Sequence, residues 1–320
     1  MCDRYALYAQ TAPSASTRPF LQVKPMLGGR YRAIYSKHRY YMDILTTNKQ
    51  YWENVKELVD DYTEILDCEI GNDVSIIISN NFKKDVYDYS SKRDKIDIER
   101  TEFPELNGIL LLPRDEIREF KIIINDKQFN SDDFIHTVYH ELTHYKDYRN
   151  YFAEFGNIYE KSEYKRKENY FYEFSLWSEY HAKKIGNYLY YIKIFVKQYG
   201  YISENWKKII SVDFQSDKLK EEIAILQKRN MYRDINAVSD FLNFLFGYYG
   251  RLSIFQENIG EYPDKIFPGD ELIKVFSINV IKLYEYLISR GNYQAFIKDI
   301  RELRSILENI CKEFDRKSNT

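Results

Sequence analysis

His140-Glu141-Leu142-Thr143-His144 forms an H-E-x-x-H pattern inside a stretch whose apolar residues have helical spacing. On a helix, side chains four residues apart lie on one face about one turn from each other, so both imidazoles can bind one Zn²⁺ ion. Glu141 projects beside them and is placed to take a proton from a water molecule at the metal. The pattern therefore predicts a zinc site with His140 and His144 as ligands and Glu141 as the general base.

Histidine is scarce outside this part of the chain. Of the 5 histidines, only His38 lies away from a window that holds the others, His136, His140, His144 and His181. The alternative is a helix with two ordinary surface or core histidines. That alternative explains neither the clustering nor the Glu between the two histidines, so we favour the metal site.

Strand-like segments precede the motif. A helical apolar period covers residues 51–66, and a β-branched run at 74–78 then predicts a strand. Two further strands are predicted at 108–112 and 120–124. The Pro-containing segment 113–115 between them suits the turn of a hairpin.

The motif lies in the middle of a long predicted helix. Its start is marked by Asn130-Ser131-Asp132-Asp133, a cluster of N-cap residues with acids in the first turn. The apolar period continues to about Tyr148. A small sheet is therefore followed by a well-capped helix that carries the motif.

Helical patterns dominate the chain after the motif, whereas residues 80–105 before it are polar and predict a long loop or irregular strands. One long helix is predicted at 171–198, and further helices are predicted near 217–230, 234–248, 270–289 and 293–314. Gly247, Gly250 and other Gly and Pro residues predict a loop after the helix at 234–248. We predict an α+β fold that is predominantly helical, with a small β-sheet preceding the long H-E-x-x-H helix and a helical C-terminal half.

Composition excludes several classes of protein. A net charge of -2 gives no reason to expect nucleic acid or an anionic membrane as a partner. No apolar run approaches the length of a membrane span, and the N-terminus lacks the apolar core of a signal peptide. The 3 cysteines, Cys2, Cys68 and Cys311, are far apart, which argues against both a disulfide framework and a thiolate zinc site. They fit a reducing cytoplasm.

The first 41 residues differ in composition from the rest, because many basic residues stand there against a single acid, Asp3. One interpretation is a basic arm that contacts nucleic acid. We favour a leader that is disordered or extraneous to the fold. The chain is therefore divided into this leader at 1–41, a domain at 42–200 that carries the motif, and a helical C-terminal subdomain at 201–320.

A catalytic zinc site takes three protein ligands, so the chain must supply a third. The best candidate is Glu179 on the predicted helix at 171–198. Small residues share its face of that helix at positions i-4, i+3 and i+7, namely Ser175, Ala182 and Gly186. These would let the helix approach the metal helix closely enough for the carboxylate to reach.

Three other polar residues compete for a place at the metal. Glu173 lies about 120° around the helix from Glu179, among larger side chains. His181 lies about 200° away from Glu179, so only one of those two can face the metal. Asp147 follows His144 by one turn, and we predict that it orients a histidine without binding the metal itself.

With these residues the chain resembles the zincin metallopeptidases of the gluzincin type, in which H-E-x-x-H is completed by a Glu on a later helix. The resemblance covers roughly residues 51 to 190. The step from Glu179 to Ala182, followed by Ile185-Gly186, is also similar to the third-ligand helix of small regulatory metallopeptidases of phages and mobile elements.

The chain departs from these families in two places. Lys183 stands where thermolysin-like enzymes place an Asp four residues after the Glu ligand. The segment 190–193, Tyr-Tyr-Ile-Lys, replaces the apolar-Pro segment that follows the third ligand in the phage-type proteins. The subfamily and the substrate therefore stay open.

The resemblance implies zinc-dependent hydrolysis of a peptide bond by a metallopeptidase domain at 42–200. His140, His144 and Glu179 would hold Zn²⁺, and Glu141 would accept a proton as water attacks and then pass it to the leaving amine. The partner would be a protein or peptide substrate. A strand before the metal helix would pair with that substrate in extended form, as the zincin resemblance implies.

The oxyanion that forms in such a reaction needs a donor besides the metal. His136, His181 and the tyrosines near 170–190 are candidates, and the sequence does not choose among them. An alternative function is a regulatory or toxin-type protein with one dedicated protein partner and a structural or degenerate metal site. A nucleic-acid-binding protein that uses the basic leader is a third interpretation.

Overall fold

The computed structural model describes residues 24–26, 30–32, 42–46, 48–100, 106–129, 131–199, 235–259 and 278–318. The strands are β1 (Lys24–Met26), β2 (Arg30–Arg32), β3 (Asp43–Leu45), β4 (Val74–Ser79), β5 (Gly108–Leu111) and β6 (Phe120–Asn125). The first helices are α1 (Lys49–Ile65), α2 (Phe82–Tyr89), α3 (Lys92–Arg100), α4 (Asp132–Phe155) and α5 (Glu163–Glu168). The later ones are α6 (Phe171–Tyr199), α7 (Ile235–Ile259), α8 (Asn279–Ser289), α9 (Tyr293–Lys298) and α10 (Ile300–Ser318). The predicted α+β, predominantly helical fold with a sheet before the H-E-x-x-H helix is confirmed.

The strands form one mixed sheet in the order β1-β2-β3-β4-β6-β5. Strands β3, β4 and β6 run parallel, and β5 pairs antiparallel with β6 in the register Gly108↔Ile124. The predicted hairpin of these last two strands is therefore confirmed, with Asp115 at a positive φ of 53° in its connection. All of β4 is buried, as expected for a β-branched strand that pairs with a parallel strand on each side.

Two apolar cores meet along α4 and α6. The first lies between one face of the sheet and helices α1 and α4, and it includes Trp52, Ile122 and Leu142. The second joins the C-terminal part of α4 to α6 and helices α7 to α10, and it includes Trp177 and Phe246. Because α4 and α6 contribute to both cores, they are fixed on both sides.

Helix α4 is longer than predicted, since it ends at Phe155 instead of about Tyr148. Its apolar face continues through Tyr151, whose ring stacks on Phe174 of α6 with the centroids 4.2 Å apart. The helix stops at Gly156, which has a φ of 74°. Packing against a distant helix therefore extends α4 beyond its predicted end.

The prediction of a loop or irregular strands at 80–105 is wrong for most of that segment, because α2 and α3 occupy it. Phe82 and Val86 lie one turn apart and are buried against Ile77 and Ile123 on the second face of the sheet. With only two apolar residues among several Lys and Asp residues, the segment shows too short a periodic pattern to predict a helix from sequence. Covering that face of the sheet is what stabilises the helices.

The prediction of a loop at Gly247 and Gly250 is also wrong, because both glycines lie inside α7. A Cβ on Gly250 would collide with the Tyr180 carbonyl oxygen of α6, and a Cβ on Gly247 would lie 3.3 Å from Glu179 Oε1. The glycines thus allow two helices to approach closely instead of ending one of them.

Other C-terminal predictions have mixed outcomes. The predicted helix at 293–314 is divided at Asp299 into α9 and α10. The predicted helix at 270–289 is described only from Asn279, where α8 begins, and the one at 217–230 lies outside the described residues. None of the helices in the described ranges is long and apolar enough to cross a membrane.

Most of the predicted leader, residues 1–41, lies outside the described residues. Its two described segments, β1 and β2, pair antiparallel with each other, and β2 pairs with β3 through Tyr31↔Ile44. They extend the sheet at the edge opposite to β5. The domain boundaries at 42 and 201 stay predictions.

Candidate metal centre

His140 and His144 lie side by side on α4, on the face that turns towards α6. Their Nε2 atoms are 3.1 Å apart, and both rings are largely shielded from solvent. The opposite face of the helix is buried in the sheet core through Val138, Leu142 and Tyr145. The core therefore fixes the rotation of α4 and points both imidazoles away from the sheet.

Helix α6 brings Glu179 to the two histidines. Its Oε2 lies 3.3 Å from His144 Nε2 and 3.7 Å from His140 Nε2. The three side chains form a group whose ligand atoms all lie within 4.8 Å of one another. The structure thus brings together the three residues that the sequence nominated as ligands.

The spacing of these atoms fits a zinc ion. At a bond length of about 2.05 Å, tetrahedral geometry separates two ligand atoms by about 3.3 Å. The three observed separations are 3.1, 3.3 and 3.7 Å. Two imidazole nitrogens and one carboxylate oxygen are also a donor set that zinc accepts in catalytic sites.

Small residues on α6 allow this approach, as predicted. A Cβ on Gly186 would lie only 3.3 Å from both the backbone N and the Cα of His140. Ala182, one turn earlier, is fully buried. A larger residue at either position would push α6 away from α4 and carry the Glu179 carboxylate out of reach.

A hydrogen-bonded chain sets the proton position on His144. The Ser178 hydroxyl donates to Asp147 Oδ2 at 3.2 Å, because an ionised carboxylate can only accept. Ser178 Oγ then accepts from His144 Nδ1 at 2.8 Å. With its proton on Nδ1, His144 presents a free electron pair on Nε2, which is the form that binds a metal.

Replacing Ser178 with Ala is therefore expected to weaken zinc binding by about 10- to 100-fold, because His144 loses the partner that orients its ring. Affinity can be measured by competition with a chromophoric chelator. Ser175→Ala is the matched control, since the Ser175 hydroxyl accepts a hydrogen bond from the Tyr148 hydroxyl at 3.4 Å. Equal zinc affinities in the two variants would remove Ser178 from this role.

The two rival ligands are held elsewhere. His181 Nδ1 lies 3.0 Å from both oxygens of Asp147, and its ring stacks on Trp177. Glu173 is paired with Arg304 of α10 at 2.5 Å. Asp147 contacts His181 directly and reaches His144 only through Ser178, a residue whose part in the site the sequence did not reveal.

Glu141 lies next to the ligand histidines, on the side of α4 that faces β5. It is only 6% exposed, and its carboxylate accepts a hydrogen bond from the Leu110 backbone. Burial raises the pKa of Glu141 to about 7, although His144 and the Leu110 hydrogen bond act in the opposite direction. A carboxylate in this setting is a stronger base than one in water.

The charges around the cluster keep the third ligand anionic. Burial alone would raise the pKa of Glu179, but His140, His144 and Lys183 together lower it below its usual range. The pKa of His140 is lowered, first by burial and then by Lys183. Burial alone would also lower the pKa of His144, but Glu179 and Glu141 outweigh it and raise that pKa. An anionic Glu179 is the form that a metal ligand needs.

Two further polar groups border the cluster. His136, one turn before His140, has its pKa lowered to about 3 by burial and by the positive charges of Lys183 and Arg251. Lys183 Nζ lies 3.9 Å from Glu179 Oε1. The sequence marked Lys183 only as a departure from a family pattern, although its i+4 spacing from Glu179 already placed both on one face of the helix.

No protein-family model, no curated protein and no solved structure matches this chain. The likeness to gluzincins therefore remains a resemblance. It is carried by the H-E-x-x-H motif, the Glu on a later helix and the order of the elements around them.

Proposed function

We propose that this protein is a zinc-dependent metallopeptidase. The observation that carries the proposal is the meeting of His140, His144 and Glu179 at the separations of a tetrahedral zinc site, directly beside the buried Glu141. A structural zinc site is normally closed by a fourth protein ligand. Among the described residues only three side chains converge, which favours a catalytic site over the alternative of a structural one in a regulatory or toxin-type protein.

When bound, Zn²⁺ would supply Lewis acidity, which acidifies a water molecule and polarises the substrate carbonyl. The water oxygen would add to the carbonyl carbon while Glu141 accepts a proton from that water. The π electrons of the C=O bond would then move onto the carbonyl oxygen. As the electrons return, the C–N bond breaks, and Glu141 would give the proton to the leaving nitrogen. Glu141 lies beside the ligand histidines, so the same carboxylate would serve in both proton transfers.

The edge strand β5 supports a protein or peptide as the substrate. It stands at the end of the sheet order, and its Leu110 backbone bonds to the Glu141 carboxylate. An extended peptide paired with the outer edge of β5 would lie next to the general base. The sparse and distant cysteines support a cytoplasmic location for this activity.

Metal analysis and a cleavage assay test the proposal. Purified protein is expected to contain about one Zn²⁺ per chain and to cleave members of a mixed peptide library. A chelator should abolish cleavage, and added zinc should restore it. His140→Ala and His144→Ala should each lose the metal, whereas wild-type stoichiometry in either variant would refute the assignment.

A further inference from the structure

Lys183 places a positive charge beside the candidate ligands. It follows Glu179 by one turn of α6, and its Nζ lies 3.9 Å from Glu179 Oε1. The side chain is about one-third exposed, so part of it is open to solvent beside the cluster. The ligand Oε2 of the same carboxylate is the atom that faces the two histidines.

Packing against helix α7 restricts the conformation of the Lys183 side chain. A Cβ on Gly247 would lie 3.3 Å from Lys183 Cγ and 3.7 Å from its Cε, and a Cβ on Gly250 would lie 2.9 Å from its Cβ. The aliphatic part of Lys183 therefore runs along the glycine face of α7. A lysine packed in this way loses much of the rotamer freedom of a surface lysine, so its charge is positioned in advance.

This charge works against cation binding at the cluster. Lys183 Nζ lies 3.9 Å from Glu179 Oε1, so a divalent ion held by His140, His144 and Glu179 would be repelled by the ammonium charge. A lysine that only neutralised Glu179 would weaken the metal site, so its position is better explained by an anion that appears during the reaction.

We propose that the Lys183 ammonium group stabilises the negative charge that develops on the carbonyl oxygen of the scissile peptide. The inference rests on the proposed peptidase function. As the water oxygen bonds to the carbonyl carbon and its proton passes to Glu141, the former π electrons reside on the carbonyl oxygen, where Lys183 donates a hydrogen bond. When the C–N bond breaks, these electrons re-form the C=O bond and the interaction with Lys183 weakens. Interactions of this kind accelerate a reaction because they are stronger in the transition state than in the bound substrate.

Lys183→Met separates this role from a role in holding Glu179. Methionine keeps the aliphatic stem on the glycine face but removes the charge. Zinc affinity is expected to stay unchanged or to rise by up to about tenfold, because a repulsive charge is lost. For a peptide that the wild-type protein cleaves, kcat should fall by about 10- to 100-fold with little change in KM. Lys183→Arg keeps the charge and should recover part of the lost kcat.

A second readout needs no turnover. Inorganic phosphate serves as a tetrahedral anionic probe and is titrated into the cobalt-substituted protein while the visible spectrum of the ion is followed. Wild-type protein is expected to bind phosphate about ten times more tightly than Lys183→Met. Lys193→Met is the matched control, since Lys193 lies on the same helix but pairs with Glu57 and Asp61 of α1. It should bind phosphate like the wild type.

The outcomes separate the two proposals. Loss of zinc from Lys183→Met would show that the lysine positions Glu179. Equal phosphate affinity in the variant and the wild type, together with unchanged kcat, would show that Lys183 does not bind an anion. Either result overturns the assignment of Lys183 and leaves the peptidase proposal standing. Failure of the wild-type protein to bind zinc or cobalt overturns both the peptidase function and the role of Lys183. Metal binding without peptide cleavage overturns the peptidase function, and the role of Lys183 then falls with it.

Discussion

Replacing Glu141 with Gln is expected to lower the rate of peptide hydrolysis by a factor of at least about 10² while zinc stays bound. Glutamine has nearly the same shape, and its amide oxygen can still accept the hydrogen bond from the Leu110 backbone. It cannot accept a proton from water at neutral pH. The loss should therefore appear in kcat, because the missing step is a proton transfer.

The metal content of the Glu141→Gln variant is the internal check on this result. Zinc stoichiometry equal to that of the wild type shows that the side chain is not needed to hold the ion. Glu53→Gln on α1 is a suitable control, because this half-exposed Glu pairs with Lys49 on the surface and should leave kcat unchanged. Full activity in Glu141→Gln would mean that another group is the base.

Removing the Glu179 carboxylate is expected to weaken zinc binding by at least about 10³-fold, since two histidines alone do not complete a three-ligand site. The substitution is Glu179→Ala, and affinity is measured by chelator competition at fixed pH. Folding should be retained, because the carboxylate is partly exposed and α6 is held by its own apolar contacts on both sides. Circular dichroism before and after metal removal checks this point.

The rival residues on the same helix serve as controls. Glu173→Ala breaks the ion pair with Arg304 and is expected to reduce the free energy of unfolding without changing zinc affinity. His181→Ala removes a side chain that bonds to Asp147 and should alter zinc affinity far less than Glu179→Ala does. If His181→Ala strips the metal while Glu179→Ala retains it, the gluzincin-type ligand set is wrong.

Much of the candidate centre could be predicted from local spacing. Two histidines four residues apart must share a face of any helix that contains them, whatever surrounds it. The same reasoning selected Glu179 over Glu173, because only one face of that helix carries small residues at every turn. The close approach of Gly186 to the His140 backbone is the packing that this pattern indicated.

Local spacing was misleading where a residue's role depends on a distant element. Gly247 and Gly250 suggested a loop because glycine weakens an isolated helix. In the folded protein they lie inside α7, where the absence of a side chain lets α7 contact α6. The short stripe of Phe82 and Val86 was overlooked for a related reason, since its partner, the second face of the sheet, comes from other parts of the chain.

The sequence by itself determined which side chains share a face of α4 or of α6, because helical periodicity is a property of a single segment. Only the tertiary structure decided how those faces meet: that Ser178 connects Asp147 to His144, and that Lys183 lies on the glycines of α7. Such contacts join elements far apart in the chain. Their geometry follows from the packing of whole helices, which no local pattern of residues encodes.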